Sequence, residues 1–297
     1  MFLRHILLYL ATASLCLSWP ALANTTQTTD KDVMQVTLWG GKSGRTAYEH
    51  ALLQQILIKT ADRYPPYDLW VNNEHLGAER GRQVVANGQH ANIYVSGLRE
   101  DAYTDSGEIV VVPTPTMKGL MGYRSAIIRA DDQERFALAV QQSELRELVV
   151  GQGNRWADAK VLRHNKFSVD DSGRYENLLS MLSYGRFDTV FFGVVEAPAE
   201  LAASNMRDAL SIAPQNVIYY PHAMVFQVSG QHPLLAKRVA DGLAIVRRDG
   251  TLDRLLDEYF SDAIAHIKDP NTQIIVLEHP QPSIIPELTQ PLLAQGR

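Results

Sequence analysis

Cysteine is nearly missing from this sequence: Cys16 is its one cysteine and lies in an apolar stretch near the amino terminus. If that stretch is cleaved, as argued below, the remaining chain has no cysteine. Disulfide bonds, thiol catalysis and cysteine-ligated metal sites are then excluded. A chain of 297 residues can instead be stabilised by a hydrophobic core, in one large domain or two smaller ones.

An excess of basic charge and the common catalytic motifs are also missing. The chain has 28 basic and 33 acidic residues, a net charge of -5 and no polybasic run, so we expect neither nucleic acid nor anionic lipid as a partner. Its histidines lack metal-ligand spacing, and no nucleophile elbow, P-loop or dinucleotide-binding glycine motif occurs. We therefore expect no metal, no cofactor and no catalytic residue, and predict that the protein is not an enzyme.

Long apolar runs are missing apart from one at the amino terminus, where Ile6 to Leu17 is almost wholly apolar over about 12 residues. Basic residues precede this run, and Pro20 and the small-residue sequence Ala21-Leu22-Ala23 follow it. That order is typical of a secretory signal peptide. The alternative, a transmembrane anchor, needs about 20 apolar residues. We predict a cleaved signal peptide over residues 1–23 and a mature chain in the periplasm without membrane insertion.

Apolar spacings typical of strands and of helices alternate along most of the remaining chain. The run Ile109 to Val112 is typical of a buried strand, and Leu234 to Arg248 has the spacing of a long helix. Such alternation predicts α/β sheets with helices on both faces. No glycine-rich linker separates the two units, so we expect lobes joined by strands. After Pro270 the chain is proline-rich and is expected to wrap the surface or fray.

Four short stretches carry a resemblance to a known family. They are Ser96-Gly97-Leu98, Leu145 to Gly153, Gly185 to Val190, and Arg248 to Leu252. Together they resemble extracellular solute-binding proteins of family 3, over roughly residues 34–262, and a divergent, uncharacterised branch of that family. The resemblance implies a two-lobed, type II periplasmic-binding-protein-like α/β fold, with a hinge of crossing strands and a ligand cleft. Lobe 1 would comprise 34–121 plus 222–297, and lobe 2 would comprise 122–221.

The resemblance also implies a function. We expect an exported, monomeric solute-binding protein that captures a small polar or anionic ligand for a membrane permease of an ABC transporter or for a sensor kinase. One alternative is a partner-binding module that has lost small-molecule binding. Another is an exported, dehydratase-like enzyme on the same scaffold, which would need an acid or base such as Glu196, Asp158 or His222.

A glycine turn is the first predicted contact with ligand. Gly151-Gln152-Gly153 follows a predicted buried strand and precedes a predicted helix. Glycine lets a ligand approach the backbone, and a helix amino terminus offers free N–H groups and a partial positive charge to an anion. The alternative is a plain turn between strand and helix.

Six further residues are predicted to bind ligand: Trp39, Ser96, Arg99, Trp156, Asp158 and Glu196. Either tryptophan could form an aromatic wall of the cleft or belong to the core. Ser96 could donate a hydrogen bond, or fill its turn. Asp158 could contact ligand or serve as the acid that commonly favours the first turn of a helix.

Two positions differ from the pattern of the amino-acid binders in the family. These use an arginine shortly after the Ser-Gly turn to hold the ligand carboxylate, whereas here Arg99 is close but displaced. They use an acid for the ligand ammonium where this chain has Gly193, and Glu196 is the nearest acid, three residues further on. The resemblance therefore does not imply a standard amino-acid ligand.

Overall fold

A computed structural model describes residues 33–40, 45–74, 76, 78–98, 108–154, 156–281, 288, 290 and 291. The predicted signal peptide lies outside these residues. Within them, the structure contains eleven strands in two sheets, together with eight α-helices. None of the helices in these ranges is both long enough and apolar enough to cross a bilayer.

The first sheet has five strands in the order β2-β1-β3-β10-β4. They are β1 (Met34–Trp39), β2 (Tyr67–Asn72), β3 (Ile93–Gly97), β4 (Ile109–Val112) and β10 (Met224–Ser229). Strands β1, β2 and β3 are parallel, and β10 runs antiparallel between β3 and β4. The helices in this part of the chain are α1 (Thr46–Ile58), α2 (Ala78–Asn87), α7 (Pro233–Arg248) and α8 (Thr251–Lys268).

The second sheet has six strands in the order β11-β9-β5-β8-β6-β7. They are β5 (Tyr123–Arg129), β6 (Val149–Gly153), β7 (Ser168–Gly173), β8 (Thr189–Gly193), β9 (Leu210–Tyr219) and β11 (Gln273–Val276). The helices between them are α3 (Gln133–Gln141), α4 (Asp158–His164), α5 (Leu178–Ser183) and α6 (Ala197–Ala203).

The chain passes directly between the sheets twice, from Val112 to Tyr123 and from Tyr219 to Met224, and we call these two stretches the crossing segments. It leaves the first sheet after β4 and returns to it after β9, and the Tyr220 N–H donates to the carbonyl of Gly122 across the two passages at 3.1 Å. Strand β11 then joins the second sheet beside β9. The predicted lobe 1 includes residues 222–297 and therefore β11, although β11 pairs with a strand of the second sheet. The predicted lobe boundaries stay a prediction.

Separate apolar cores explain why these elements form. Helices α1, α7 and α8 cover one face of the first sheet, and apolar residues line both faces of the second. Strand β5 is buried from Tyr123 to Ile128, including the polar residues Arg124 and Ser125. Gly250 separates α7 from α8 with φ 79°, a left-handed conformation that glycine adopts readily.

Candidate functional site

A group of charged and polar side chains lies between the two sheets, beside the crossing segments. We call it the inter-sheet cluster, and its members are Arg45, Glu49, Arg124, Asp158, Glu196, Tyr220 and His222. Two of them come from the start of α1, against the first sheet. Three belong to the half built on the second sheet, and two lie on the passage from β9 to β10.

Arg124, near the start of β5, is the most deeply buried cation of this cluster, with 4% of its surface exposed. Its Nη2 lies 2.8 Å from Oδ1 of Asp158, and the Tyr220 hydroxyl donates a hydrogen bond to the same oxygen. The guanidinium carbon is 5.0 Å from the centre of the Tyr220 ring, a cation–π distance. Burial alone would lower the pKa of Arg124, but the charge of Asp158, followed by Tyr220 and Glu196, outweighs it and the pKa is raised.

His222 lies half-buried at the crossing, close to the same acid. A Cβ placed on Gly97 would be 3.0 Å from its Cε1, so the ring packs against the Ser-Gly turn of the first sheet. Burial, followed by the charge of Arg124, lowers the pKa of His222 to about 4. The imidazole is therefore neutral at neutral pH. Conversely, Arg124 and then His222 lower the pKa of Asp158 against the opposing effect of its burial.

Arg45 and Glu196 connect the two halves directly. Nη1 of Arg45, at the start of α1, lies 2.7 Å from Oε1 of Glu196, in the turn between β8 and α6. Nε of Arg45 lies 3.2 Å from Oε1 of Glu49, which is almost fully buried. Burial would lower the pKa of Arg45, but the charges of Glu196 and Glu49 raise it. One arginine thus holds two acids, one from each half.

The Glu196 carboxylate lies over the end of β8 because Gly193 leaves room for it. A Cβ at position 193 would be 2.8 Å from Oε2 of Glu196 and 2.9 Å from Cε of Met121. A side chain at 193 and the observed position of Glu196 are therefore mutually exclusive without movement. The acid three residues further on fills the space that a side chain at 193 would need.

Gly151-Gln152-Gly153 was predicted to form a turn after a strand, but it forms the last three residues of β6, and its two glycines pack against aromatic rings. A Cβ on Gly151 would meet the Phe187 ring at 2.3 Å, and one on Gly153 would meet the Trp156 ring at 2.4 Å. At both positions an aromatic ring occupies the space that a side chain would need. This supports a packing role for both glycines. Contact of this segment with ligand stays a prediction.

Gln152 is fully buried, and both its amide nitrogen and its amide oxygen lack a hydrogen-bond partner within the described residues. Its neighbour Gly151 pairs with Val190 of β8. Alternation along adjacent strands then places Gln152, Phe191 and Arg124 on one face of the sheet. An unpaired buried amide costs roughly 1–3 kcal/mol, so a bound water or ligand group would be favoured there.

Trp39 and Ser96, the two residues of the first sheet that were predicted to bind ligand, both contact other residues of the chain. The Trp39 ring lies against Gly81 of α2 and 5.8 Å from the Tyr94 ring, and its Nε1–H donates to the carbonyl of Glu74 at 3.0 Å. Ser96 Oγ accepts a hydrogen bond of 2.7 Å from the side-chain amide of Gln227. Neither contact tests a role in ligand binding, which stays a prediction for both.

An aromatic cluster lies on the other face of the second sheet, beside α6. The Trp156 ring is 5.7 Å from the ring of Phe192 and 6.1 Å from that of Tyr175. The Tyr175 hydroxyl donates to Oε1 of Glu200 at 2.5 Å. Burial raises the pKa of Tyr175, and the charges of Glu200, Glu196 and Glu176 raise it further. Glu200 is therefore the acid in contact with this partly exposed tyrosine, and the charges of Glu196 and Glu176 act on it as well.

The structure brings together Asp158 with Tyr220 and Arg124, and Glu196 with Arg45, whereas Arg99 lies outside the described residues. Sequence reasoning missed both arginines of these pairs. A charged residue near the start of the buried strand β5 is the signal that could have identified Arg124. Across the described ranges, no group of three or more histidine, aspartate or glutamate residues is arranged to hold a metal ion.

Sequence comparisons identify no relative: no family model matches the chain, and no curated protein does. Solved structures match over most of it. The probable amino-acid ABC transporter extracellular-binding protein ytmK from Bacillus subtilis is 14% identical, with a TM-score of 0.56, and the match covers 77% of this chain and 99% of that one. The periplasmic VFT2 domain of Bordetella pertussis BvgS is 13% identical, with a TM-score of 0.55, covering 77% of this chain and 94% of the domain.

A third similar structure is a Salmonella typhimurium periplasmic binding protein described as having high arginine specificity. It is 13% identical, with a TM-score of 0.51, and the match covers 77% of this chain and all of that one (100%). Sequence identities this low show the fold alone. The predicted fold is confirmed, and the chain has the two-lobed α/β fold of periplasmic binding proteins.

Proposed function

We propose that this chain is an exported solute-binding module that captures a small polar ligand between its two lobes. The observation that supports this most strongly is the inter-sheet cluster, because it places buried charges and polar groups of both halves beside the crossing segments. Its geometry suits a polar ligand, since His222 is neutral and half-buried and the amide of Gln152 has no hydrogen-bond partner in the described part of the chain. The lobe division 34–121 plus 222–297 and 122–221 belongs to the same proposal.

Export to the periplasm is part of the proposal and depends on the signal peptide predicted over residues 1–23. The bound ligand would be delivered to a transporter or reported to a sensor. The partner-binding alternative has one observation in its favour: Arg45 and Arg124 already have acids of the same chain as partners. A cleft whose charges are satisfied internally would be stable without a small molecule.

Thermal unfolding of the purified chain against a library of amino acids, organic acids, sugars and polyamines tests the proposal. A ligand at 100 times its Kd adds about 2.7 kcal/mol of stability. For a chain of this size we expect a rise in Tm of roughly 5–10 °C. A rise confined to one chemical class supports the solute-binding function. If no compound raises the Tm, and mass spectrometry finds none retained from purification, the proposal is wrong and the partner-binding module is favoured.

A further inference from the structure

After α8 the chain runs to the second sheet and then to the crossing segments. Helix α8 ends at Lys268, packed against the core of the first sheet, and β11 pairs with β9 of the second sheet. Further along, Leu288 lies against both crossing segments. We call residues 269–281, together with Leu288 and Gln290, the carboxy-terminal strap. The strap therefore contacts the second sheet and also the segments that join it to the first.

The strap is attached to the second sheet by backbone and side-chain contacts. Strand β11 pairs along its four residues with 216–219 of β9, and the N–H of Leu277 donates to the carbonyl of Tyr219 at 2.7 Å. Leu277 is buried in a core of the second sheet. Glu278 exchanges two hydrogen bonds with the side chain of Asn165, just after α4, at 3.0 and 2.7 Å. This attachment is thus a strand ladder with a buried side chain.

The attachment of the strap to the crossing segments is centred on Leu288. This side chain is 2% exposed and packs in a small core with Ala223, in the second crossing segment, and Val225 of β10. A Cβ on Gly119, in the first crossing segment, would be 2.8 Å from Cδ2 of Leu288. One leucine side chain therefore packs against both passages between the sheets.

The hydroxyl group of Tyr219 provides the polar part of this second attachment. It is 2.6 Å from the carbonyl oxygen of Leu288 and 3.0 Å from that of Gln290, so its one proton is shared between two acceptors. Burial, followed by the charge of Tyr123, raises the pKa of Tyr219, so the hydroxyl keeps its proton. Among the described residues, one buried side chain and one shared proton hold the strap here, against a strand ladder at β11.

Movement of one half of the molecule relative to the other would occur about the crossing segments, because hinge motions are absorbed by a few residues of the connecting chain. A third segment that is fixed to the second sheet and also to these connections resists such a movement. The halves separate further only if one of the two attachments opens. Local opening starts where the contacts are fewest, which is the attachment at Leu288 and Tyr219.

We propose that the carboxy-terminal strap limits the separation of the two halves, and that its attachment at Leu288 and Tyr219 opens before they separate further. The inference goes beyond the proposed solute-binding function and needs no ligand. It gives a mechanical role to a segment for which the sequence predicts only that it wraps the surface or frays.

Distances between spin labels on the two halves test this. Cys16, the one cysteine of the sequence, lies in the predicted signal peptide, so introduced cysteines are the labelling sites of the exported chain. Gln54→Cys in α1 and Ala137→Cys in α3 place one label on an exposed helix position of each half. Pulsed electron paramagnetic resonance then gives the distribution of distances between the labels, without any ligand.

Two variants weaken the second attachment in different ways. Tyr219→Phe removes the hydroxyl and keeps the ring, and we expect the ratio of long to short label distances to rise about tenfold, since the hydrogen bonds to the strap are lost. Leu288→Ala is expected to raise the ratio more, because a buried leucine is truncated. If Leu288→Ala does not fold, as judged by circular dichroism, Tyr219→Phe alone provides the test.

The matched control is Tyr64→Phe, which also removes a hydroxyl group. Tyr64 donates to Asp241 of α7 at 2.6 Å, within the first half and away from the strap. This variant should give the distances of the unaltered chain. Equal distance distributions in Tyr219→Phe, Tyr64→Phe and the unaltered chain overturn the inference.

Hydrogen exchange identifies which attachment opens. We expect the amide of Leu277, which is bonded to the carbonyl of Tyr219 beside β11, to exchange as slowly in Tyr219→Phe as in the unaltered chain. Slow exchange together with longer label distances supports opening at Leu288 alone. If the Leu277 amide loses its protection in this variant, the strap detaches from the second sheet as well, and the proposed order of opening is wrong.

Discussion

Replacing Asp158 with asparagine is expected to destabilise the chain by about 3–5 kcal/mol, the typical result of removing one partner of a buried ion pair. Arg124 would keep its charge with 4% of its surface exposed and would lose the carboxylate at 2.8 Å. The Tyr220 hydroxyl would also lose the strongest acceptor available to it, because it donates to the same carboxylate oxygen. Urea unfolding at neutral pH measures the free energy of unfolding of the variant against that of the unaltered chain.

A double-mutant cycle shows whether the loss comes from the unpaired arginine. Arg124→Met combined with Asp158→Asn removes both charges, and we expect this double variant to be more stable than Asp158→Asn alone. Asp171→Asn is the matched control, because Asp171 pairs with Arg163 at 2.7 Å but both side chains are at least one-third exposed. Exposed pairs contribute about 0–1 kcal/mol. Similar losses for Asp158→Asn and Asp171→Asn would show that burial of Arg124 does not matter.

The fold follows from the sequence where strands are central and buried. Apolar residues at Ala126 to Ile128 in β5 and at Val190 to Phe192 in β8 predict these strands, because both faces of each strand lie in a core. Strands β7 and β11, which form the two edges of the second sheet, were not predicted. The sequence of β7, Ser168–Gly173, is largely polar, and only Gly173 in it is buried. Edge strands commonly carry polar residues, so apolar spacing gives no signal for β7. Strand β11 is apolar from Ile274 to Val276, but it is only four residues long and lies after Pro270, where the chain was expected to wrap the surface or fray.

The sequence predicts the acids of the site but not the arginines that pair with them. Asp158 and Glu196 are identifiable as acids beside predicted helices, but the arginines that hold them come from distant parts of the chain. Arg45 and Glu196 are 151 positions apart, and only the fold brings the start of α1 against the turn after β8. Local spacing contains no information on such a contact. The packing of rings on Gly151 and Gly153 is likewise a tertiary effect, which a glycine-rich turn in a sequence does not reveal.

Acidification is expected to destabilise the chain through His222, and His222→Gln should remove this part of the loss. Burial and the charge of Arg124 lower the pKa of this imidazole to about 4, with smaller contributions from Arg45 and His279, while Asp158 opposes them. The unfolded chain takes up the proton near pH 6.5, but the folded chain does not. The stability that depends on neutral His222 is therefore present above pH 6.5 and is lost as the pH falls towards 4. Between pH 7.5 and 4.5 this loss amounts to about 2–3 kcal/mol.

Urea unfolding at pH 7.5 and pH 4.5 measures the loss in both proteins. Groups away from His222 contribute similarly to each protein, whereas Asp158 and His222 influence each other's pKa. The difference between the two losses therefore reports on the pair of His222 and Asp158. An NMR titration of the imidazole resonances gives the same pKa directly, and a midpoint near 6.5 would contradict the expected burial of the neutral ring. The variant Asp158→Asn tests the direction in which Asp158 changes the pKa of His222. Because the charge of Asp158 raises the pKa of His222, its removal should lower that pKa further, so the ring of the variant should stay neutral to a lower pH. A rise of the pKa in Asp158→Asn would mean that burial and Arg124 do not control this histidine.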